Sequence, residues 1–214
     1  MIHFHIVTLF PGSIEPYLTA SIIGRAIAAK KIKISYYDPK DFTRDKYGRV
    51  DRRPYGGGPG MVLEPDGVLR AAQKAIGNKK GVVKLFFATD GKAFDEAQAK
   101  ELSKKKEILF ICGHYEGVDA RVQKILKAKK VSVGPYVLTG GELPAATLID
   151  AISRFVPGVL GKAESLEASR VSSPDVYTRP EVLVWKGKKH RVPKVLLSGN
   201  HAKIDEWKAS RRRG

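Results

Sequence analysis

Val133 to Gly161 reads VGPYVLTGGELPAATLIDAISRFVPGVLG, and this stretch decides how the whole chain is interpreted. It runs from a short β-branched strand into a turn with the paired glycines Gly140 and Gly141, then into an apolar helix with Pro144 in its first turn. Glycine lets the backbone approach a ligand closely, and proline at a helix start costs no hydrogen bond. A strand, a glycine turn and a helix N-terminus in that order are typical of a cofactor-binding site. An ordinary βα connection is the alternative.

Strands and helices alternate on the N-terminal side of this stretch. Alternating βα units indicate an α/β fold with a mostly parallel sheet, whose ligand sits beyond the carboxyl ends of the strands. The loops GHYEGVD, residues 113–119, and GPYVLTGGELP, residues 134–144, both leave strands at that edge, so we expect them to share one site. The predicted strands are 2–8, 32–37, 82–88, 107–112 and 130–133, and the predicted helices are 21–31, 64–76, 95–104 and 120–127.

The charge of the chain points to a polyanionic partner. The 214 residues suit one domain, or one domain with a small appendage. They include 39 Lys and Arg against 22 Asp and Glu, which gives a net charge of +17. A surface this basic attracts polyanions, of which nucleic acid is the commonest. The 53 residues from Lys162 onward hold 13 basic and 6 acidic residues, so this tail is about twice as basic per residue as the rest.

The sequence carries no export or membrane signal. The N-terminus MIHFHIVTLFPG lacks a basic leader and a cleavage site, so it is interpreted as a first strand. No apolar run approaches the roughly 18 residues that a membrane span needs. One thiol, Cys112, cannot build a disulfide framework, which favours a reducing compartment. We therefore expect a cytoplasmic protein with no membrane partner.

Several common kinds of site are absent from the sequence. No strand is followed by GxGxxG and no GxxxxGK[ST] occurs, which argues against dinucleotide oxidoreductases and P-loop NTPases. The five histidines show no metal-ligand spacing. His3 and His5 share one face of a strand, but no third ligand is near in sequence, so no metal site is predicted.

Two loops and one helix end carry groups that suit a binding site. Glu116 could hold a cation such as Mg²⁺ or accept a hydrogen bond from a ribose hydroxyl, whereas we expect Asp119 to cap the helix that follows it. In DRRPYGGGPGM, residues 51–61, guanidinium groups and a tyrosine ring suit an unstacked RNA base, and a plain surface loop is the alternative. Arg154 either extends into solvent or points its charge into a site.

Five ordered motifs cover most of the chain. They are RPYGGGPGM at 53–61, GHYEGVDAR at 113–121, YVLTGGELPAATLIDAISRFVPGVLG at 136–161, YTRPEVL at 177–183 and LSGNHAKI at 197–204. Together they resemble the TrmD family, bacterial tRNA (guanine-N1)-methyltransferases that modify position 37 beside the anticodon.

The resemblance implies a SPOUT-type α/β fold. Residues 1–161 would form an S-adenosylmethionine-binding domain with a deep trefoil knot, an exception to the rule against threaded connections. Residues 162–176 would be a linker, and residues 177–214 a small, basic, mainly helical domain that grips the tRNA. The resemblance further implies a homodimer with the tRNA base at the dimer interface.

The resemblance also implies roles for individual residues. Arg154 would contact the target guanine and stabilise the charge that develops on O6. The residues that would bind tRNA are Asp51, Arg53, Tyr55, Gly57, Gly58, Arg179, Asn200 and His201. The residues that would bind the cofactor are Gly113, Tyr115, Glu116, Val133, Gly134, Pro135, Tyr136, Val137, Leu138, Gly140, Gly141 and Pro144.

The general base is where this chain departs from the family pattern. The family uses a linker aspartate four residues before the tyrosine of YTRP, and this chain has Ser173 there. The nearest aspartate is Asp175, which we predict as the base, with Glu164 and Glu167 as alternatives. This departure leaves two other functions open: a catalytically weakened or inactive RNA-binding protein of the same fold, or a methyltransferase acting on another RNA nucleotide.

Two smaller departures lie in the motifs themselves. Arg52 stands where an acidic residue is usual in the family. Pro135 lies in the cofactor run and removes one backbone donor, so any adenine contact at this position must come from its carbonyl group.

Overall fold

The computed structural model describes residues 1–160, 173 and 175–211, and the chain divides into two units, Met1–Gly161 and Lys162–Gly214. The strands of the described parts are β1 Ile2–Val7, β2 Ile32–Tyr37, β3 Asp51–Arg52, β4 Val62–Leu63, β5 Val83–Ala93, β6 Glu107–Ile111, β7 Lys129–Ser132, β8 Val182–Trp185 and β9 Lys188–Arg191. The helices are α1 Glu15–Leu18, α2 Ser21–Ala28, α3 Pro65–Ile76, α4 Glu96–Leu102, α5 Ala120–Leu126, α6 Glu142–Ser153, α7 Lys194–Leu197 and α8 His201–Ser210.

A five-stranded sheet in the order β2-β1-β6-β5-β7 forms the centre of the first unit, and all of its pairings are parallel. The predicted α/β class with a mostly parallel sheet is therefore confirmed. The strands β5, β6 and β7 are neighbours, so the loops that follow β6 and β7 leave the same edge of the sheet. The short strands β3 and β4 pair separately and antiparallel.

Apolar side chains cover both faces of the sheet, because successive residues of a strand point to opposite sides. On one face Phe4 and Phe110 pack with the buried side of α6, including Leu148, Ile149 and Ile152. On the other face the ends of β1 and β6 pack with α3 and α5. Burying one such Leu or Ile side chain contributes about 1.5–3 kcal/mol, so α6 is held firmly by its apolar face.

The second face turns polar at the amino ends of the central strands. His3 and His5 project there from β1, and Glu107 begins β6 directly opposite His3. Burial lowers the pKa of His3 from its usual 6.5 to about 4, and burial also lowers the pKa of His5. Sequence reasoning found no third potential ligand beside the two histidines, since Glu107 approaches them only through strand pairing.

Strand β5 is longer than the sequence pattern predicted. It continues past Ala88 to Ala93, with a shift in its register against β7 between Phe87 and Lys92. Gly91 lies within the irregular segment, where a Cβ atom would come within 2.6 Å of the backbone of Val131. A bulge needs such a small residue, and its sequence signature, TDG, is the one usually interpreted as the end of a strand.

The second unit combines a hairpin with helices. Strands β8 and β9 pair antiparallel, and the two residues between them, Lys186 and Gly187, both have positive φ angles of 49° and 75°. Such two-residue turns match the twist of a hairpin. The expectation of a mainly helical domain, which rested on the family resemblance, did not include this hairpin. Helices α7 and α8 follow it.

Most of the predicted linker, 162–176, lies outside the described residues, and so do the alternative bases Glu164 and Glu167. None of the helices in the described parts of the chain is both long and apolar enough to cross a bilayer.

Candidate functional site

A cleft of about 400 Å³ opens at the carboxyl ends of β6 and β7, next to the irregular middle part of β5. Because these strands are parallel neighbours, the segments that follow them converge on one place. Both glycine-containing loops line this cleft. Its walls are formed by residues 86–89, 113–118, 131–134, 136–141 and Pro144.

The cleft brings together all of the predicted cofactor residues except Pro135, which is not among its lining residues. It also includes residues that the sequence analysis missed, among them Phe86 and Thr89 in the middle of β5 and Ser132 at the end of β7. No glycine or charge pattern marks these positions. Their only signal is their place in β5 and β7, which become neighbours in the folded sheet.

The paired glycines allow the two loops to touch. The backbone N–H of Gly141 donates to the carbonyl oxygen of Gly113 at 2.8 Å. A Cβ atom on Gly141 would lie 2.6 Å from the Cα atom of Cys112, so no larger residue fits without movement of the backbone. The glycines therefore have a packing role at this junction. Burial raises the pKa of the Cys112 thiol well above its usual value, which makes it a poor nucleophile.

A buried carboxylate lies directly behind this junction. Glu142, in the first turn of α6, accepts a 2.6 Å hydrogen bond from the hydroxyl of Thr8. The N-terminus of a helix stabilises a negative charge at this position. The Nδ1 atom of His114 lies 3.9 Å from the same carboxylate and is buried without a hydrogen-bond partner in the part of the chain that the structure describes. The Nδ1 atom of His114 thus lies inside this junction, next to Glu142.

Tyr115 has an unusual backbone conformation in the same loop. Its φ angle is +59°, in the left-handed region that non-glycine residues rarely adopt. The backbone of Gly117 has a positive φ angle as well. Such conformations cost free energy and cluster at ligand sites, where the surrounding contacts hold them. The loop after β6 is thus held in one shape by its contacts.

The loop rich in glycine at residues 56–60 packs beside the cleft. Gly60 has a φ angle of +80°, and a Cβ atom there would come within 2.5 Å of the Glu116 side chain. The backbone N–H of Glu116 donates to the carbonyl oxygen of Met61 at 3.0 Å. Tyr55 is fully exposed on this loop, and the space around Gly57 and Gly58 is open. Tyr55, Gly57 and Gly58, which are predicted to contact tRNA, thus lie on a loop that packs against Glu116 in the wall of the cleft.

Arg52, the basic residue in an acidic position of the family pattern, has local partners. Its guanidinium group donates to Asp45 at 3.1 Å and to Glu64 at 3.0 Å. The neighbouring predicted contact Asp51 lies on the same short strand, β3. Two carboxylates therefore balance the positive charge of Arg52. The ion pair with Glu64 connects β3 to the start of α3.

Asp119 caps α5, as the sequence analysis expected. Its carboxylate accepts from the backbone N–H of Arg121 at 2.9 Å and also pairs with the guanidinium group of Arg121. These contacts lower the pKa of Asp119.

Arg154 lies at the other end of α6 from the cleft. The helix has 12 residues, so about 18 Å separates its two ends at 1.5 Å per residue. The backbone N–H of Arg154 donates to the carbonyl oxygen of Asp150, whose side chain accepts from Tyr17. The structure of one chain thus does not bring Arg154 together with the predicted cofactor residues.

Asp175 belongs to the second unit. Its carboxylate accepts from Arg211 at 2.8 Å, and the guanidinium group of Arg211 also lies over the ring of Trp207. Asn200 caps α8 by accepting from the backbone N–H of Lys203, and His201 is the first residue of that helix. Arg179 and the strand β9 are exposed.

Comparison with known proteins gives a match over almost the entire chain. The model of the family described as tRNA (Guanine-1)-methyltransferase TrmD matches residues 2–214. A tRNA (guanine-N(1)-)-methyltransferase of Clostridioides difficile strain 630 is 42% identical over 211 residues, which cover 96% of this chain and 90% of that protein. The enzyme of that name from Caldanaerobacter subterraneus subsp. tengcongensis is 44% identical over 212 residues, 96% of this chain and 84% of the relative.

Proposed function

This chain belongs to the tRNA (guanine-1)-methyltransferase TrmD family, and we propose that it transfers a methyl group from S-adenosylmethionine to N1 of guanosine 37 in tRNA. The family resemblance of the five motifs is thereby confirmed. The observation that carries the proposal is the family match over residues 2–214. The cleft at the carboxyl edge of the sheet supports it.

Three properties of the cleft support S-adenosylmethionine as the methyl donor. Its volume of about 400 Å³ is within the usual range for ligands of this size. Its walls combine apolar side chains such as Phe86 and Leu138 with the backbone of the glycine loops, which suits an adenine ring. The carboxylate of Glu116, in the wall of the cleft, would accept from the ribose hydroxyls. When bound, the cofactor supplies an electrophilic methyl group on a positively charged sulfur.

The chemistry at the guanine requires a base and a fixed positive charge. N1 of guanine carries a proton at neutral pH, so a base must remove it as the methyl group is transferred. We assign this role to Asp175. Its carboxylate would leave Arg211 and accept the proton from N1 of the guanine. We assign to Arg154 the stabilisation of the negative charge that develops on O6.

The position of Arg154 supports a homodimer. Because about 18 Å of helix separates Arg154 from the cleft of its own chain, we propose that it serves the cleft of a second copy. Val137 and Leu143, near the start of α6, are exposed apolar side chains that a second copy would cover. A symmetric dimer would then contain two sites, each formed by both subunits.

The charge of the chain supports tRNA as the partner. We propose that the second unit docks on the tRNA backbone, since β9 is exposed along its whole length and has the sequence KKHR. The trefoil knot of the first unit and a place of action in the cytoplasm, where tRNA is found, are part of the same proposal and rest on the family assignment. The experiment below also tests whether the reaction requires Mg²⁺.

The experiment is a methylation assay on tRNA transcripts that carry either guanosine or adenosine at position 37, with and without Mg²⁺. We expect methyl transfer only to the guanosine transcript, with 1-methylguanosine identified by mass spectrometry of the digested RNA. Asp175→Asn should abolish transfer while cofactor binding persists, and Asp205→Asn, an exposed aspartate on α8, should retain activity. Equal labelling of both transcripts would refute the assignment to position 37.

A non-catalytic RNA-binding protein is the second candidate. It is favoured by Ser173 at the family position of the base and by the pairing of Asp175 with Arg211. This candidate predicts tRNA binding with no turnover at saturating cofactor. Labelling of ribosomal RNA in the same assay would instead indicate a methyltransferase that acts on another nucleotide.

A further inference from the structure

The amino ends of β1 and β6 bring three potential metal ligands together. His3 and His5 are two residues apart on β1 and therefore point to the same face. Glu107 is the first residue of β6 and pairs in register with His3. Among the described residues, one ligand atom from each of these three side chains lies within 4.8 Å of the others. The Nε2 atom of His5 is 2.6 Å, and the Nδ1 atom of His3 is 3.6 Å, from the same oxygen of Glu107.

The second nitrogen of each imidazole is held by a hydroxyl group of β2. The Nε2 atom of His3 lies 2.9 Å from Oγ of Ser35, and the Nδ1 atom of His5 lies 3.0 Å from the hydroxyl of Tyr37. Each ring thus directs one nitrogen toward Glu107 and the other toward an oxygen. Histidines that bind metals have this arrangement, because a hydrogen bond to the outer nitrogen fixes the ring and its tautomer.

We propose that His3, His5 and Glu107 form a binding site for a divalent transition-metal ion, with Zn²⁺ as the ion that fits best. Zinc takes imidazole nitrogen and carboxylate oxygen at about 2.0–2.2 Å in a tetrahedral arrangement, which places the ligand atoms roughly 3.3 Å apart. The present separations of 2.6 and 3.6 Å approach this value from both sides. Two imidazoles and one carboxylate leave the fourth position for water.

This site is separate from the cleft. It lies at the amino ends of the strands whose carboxyl ends lead to the cleft, and the five residues of β6 alone span about 16 Å. His5 is fully buried, whereas about a quarter of the Glu107 side chain is exposed. An ion can therefore enter at Glu107. The bound ion would link β1 to β6 and, through the hydroxyl groups, to β2, and should therefore stabilise the fold.

Lys79 competes with a metal ion for the carboxylate of Glu107. Its ammonium group lies 3.1 Å from the Glu107 oxygen that faces both histidines. The lysine side chain is 44% exposed, so it can turn into solvent when a metal ion takes its place. If the cluster binds a metal, Lys79→Gln should therefore strengthen binding, because the positive charge that occupies the site is removed.

Titration of the full-length chain with Zn²⁺ in a calorimeter tests the proposal, and the absorption spectrum of bound Co²⁺ reports the ligand geometry. We expect one ion per chain, a tetrahedral Co²⁺ spectrum and a higher melting temperature with Zn²⁺. Loss of a hydrogen bond to a ligand typically weakens a site by about 10–100-fold, so loss of a ligand in His3→Gln or Glu107→Gln should cost at least about 100-fold. His190→Gln, on exposed β9, is the matched control and should bind as the unchanged chain does.

Tyr37→Phe gives a readout that leaves all three ligands in place. It removes only the hydroxyl beside His5, and we expect it to weaken Zn²⁺ binding by about 10–100-fold. The proposal is overturned if the unchanged chain binds no Zn²⁺. It is equally overturned if His3→Gln, Glu107→Gln and Tyr37→Phe all bind as tightly as His190→Gln, since the ion would then be held elsewhere.

Discussion

The hydroxyl of Thr8 donates to the buried carboxylate of Glu142 at 2.6 Å and joins the end of β1 to the first turn of α6, 134 positions later in the sequence. The same hydroxyl oxygen accepts from the backbone N–H of Phe10. One side chain thus fixes both the exit of β1 and the start of the helix that follows the cleft loops.

Thr8→Val should destabilise the fold, because it leaves a buried carboxylate without its donor. Hydrogen bonds to charged groups contribute about 1.5–3 kcal/mol, and we expect a loss of this size in the free energy of unfolding measured with urea. Thr8→Ser keeps the hydroxyl and should recover most of it. Thr19→Val, at an exposed position directly after α1, is the control and should change stability by less than about 0.5 kcal/mol. A Thr8→Val protein as stable as this control would contradict the structural role of the contact.

Gly141→Ala should impair cofactor binding. The added methyl group would meet the backbone of Cys112, which cannot move as a side chain can. Overpacking of this kind costs about 1–3 kcal/mol. We expect the affinity for S-adenosylhomocysteine, measured by calorimetry, to fall at least about tenfold, which corresponds to 1.4 kcal/mol. Gly12→Ala, where a Cβ atom meets nothing within 4 Å, should bind normally. Unchanged affinity in the Gly141 variant would show that the two loops are not fixed against each other during binding.

A mixed dimer tests whether Arg154 serves the cleft of the partner subunit. Subunits with Arg154→Ala are expected to form inactive homodimers. Subunits with Gly141→Ala are expected to form nearly inactive homodimers when S-adenosylmethionine is kept at or below the dissociation constant of the unchanged chain. In the mixed dimer, one site would have an intact cleft and an intact Arg154 from the other subunit. Its activity should therefore approach roughly half that of the unchanged dimer, since one of two symmetric sites remains complete.

The mixed dimer can be isolated with two different affinity tags. The control is a dimer of one unchanged subunit and one subunit with both substitutions, which should lose both sites under the same arrangement. If Arg154 instead acts in its own chain, the control retains one site and the first mixed dimer has none. The two results are therefore opposite.

Binding of tRNA should weaken steeply with salt, because the basic surface releases counterions from the RNA backbone. If Lys188 and Lys189 of β9 contact phosphates, replacing each with alanine should reduce the slope of log K against log salt concentration by about 1. Lys100→Ala, at an exposed position of α4 in the first unit, is a matched loss of one charge and should leave the slope nearly unchanged. Equal slopes for all three variants would argue against β9 as a docking surface.

Local patterns predicted the first unit well, and contacts between distant segments explain what was missed. The alternating strands and helices from β1 to α6 were recognisable because each buries a regular apolar face. Those patterns do not determine the order of the strands in the sheet. Glu107 and His5 are 102 positions apart in the sequence but only 2.6 Å apart in the fold, so the local patterns did not connect them.

The candidate site shows the same division. Glycine and charge patterns marked the loops after β6 and β7, which line the cleft together. The buried pair of Thr8 and Glu142 had no such signal, because a threonine at the end of a strand and a glutamate at a helix start are each ordinary. The position of Arg154 also required the structure, since only the length of α6 shows that it lies far from the cleft of its own chain.

The two carboxylates around Arg52 tie three positions together. An acidic residue at position 52 would place a third negative charge beside Asp45 and Glu64, both of which now pair with the guanidinium group. The effect of any exchange at position 52 therefore depends on the residues at positions 45 and 64, so substitutions at these three positions should not be additive.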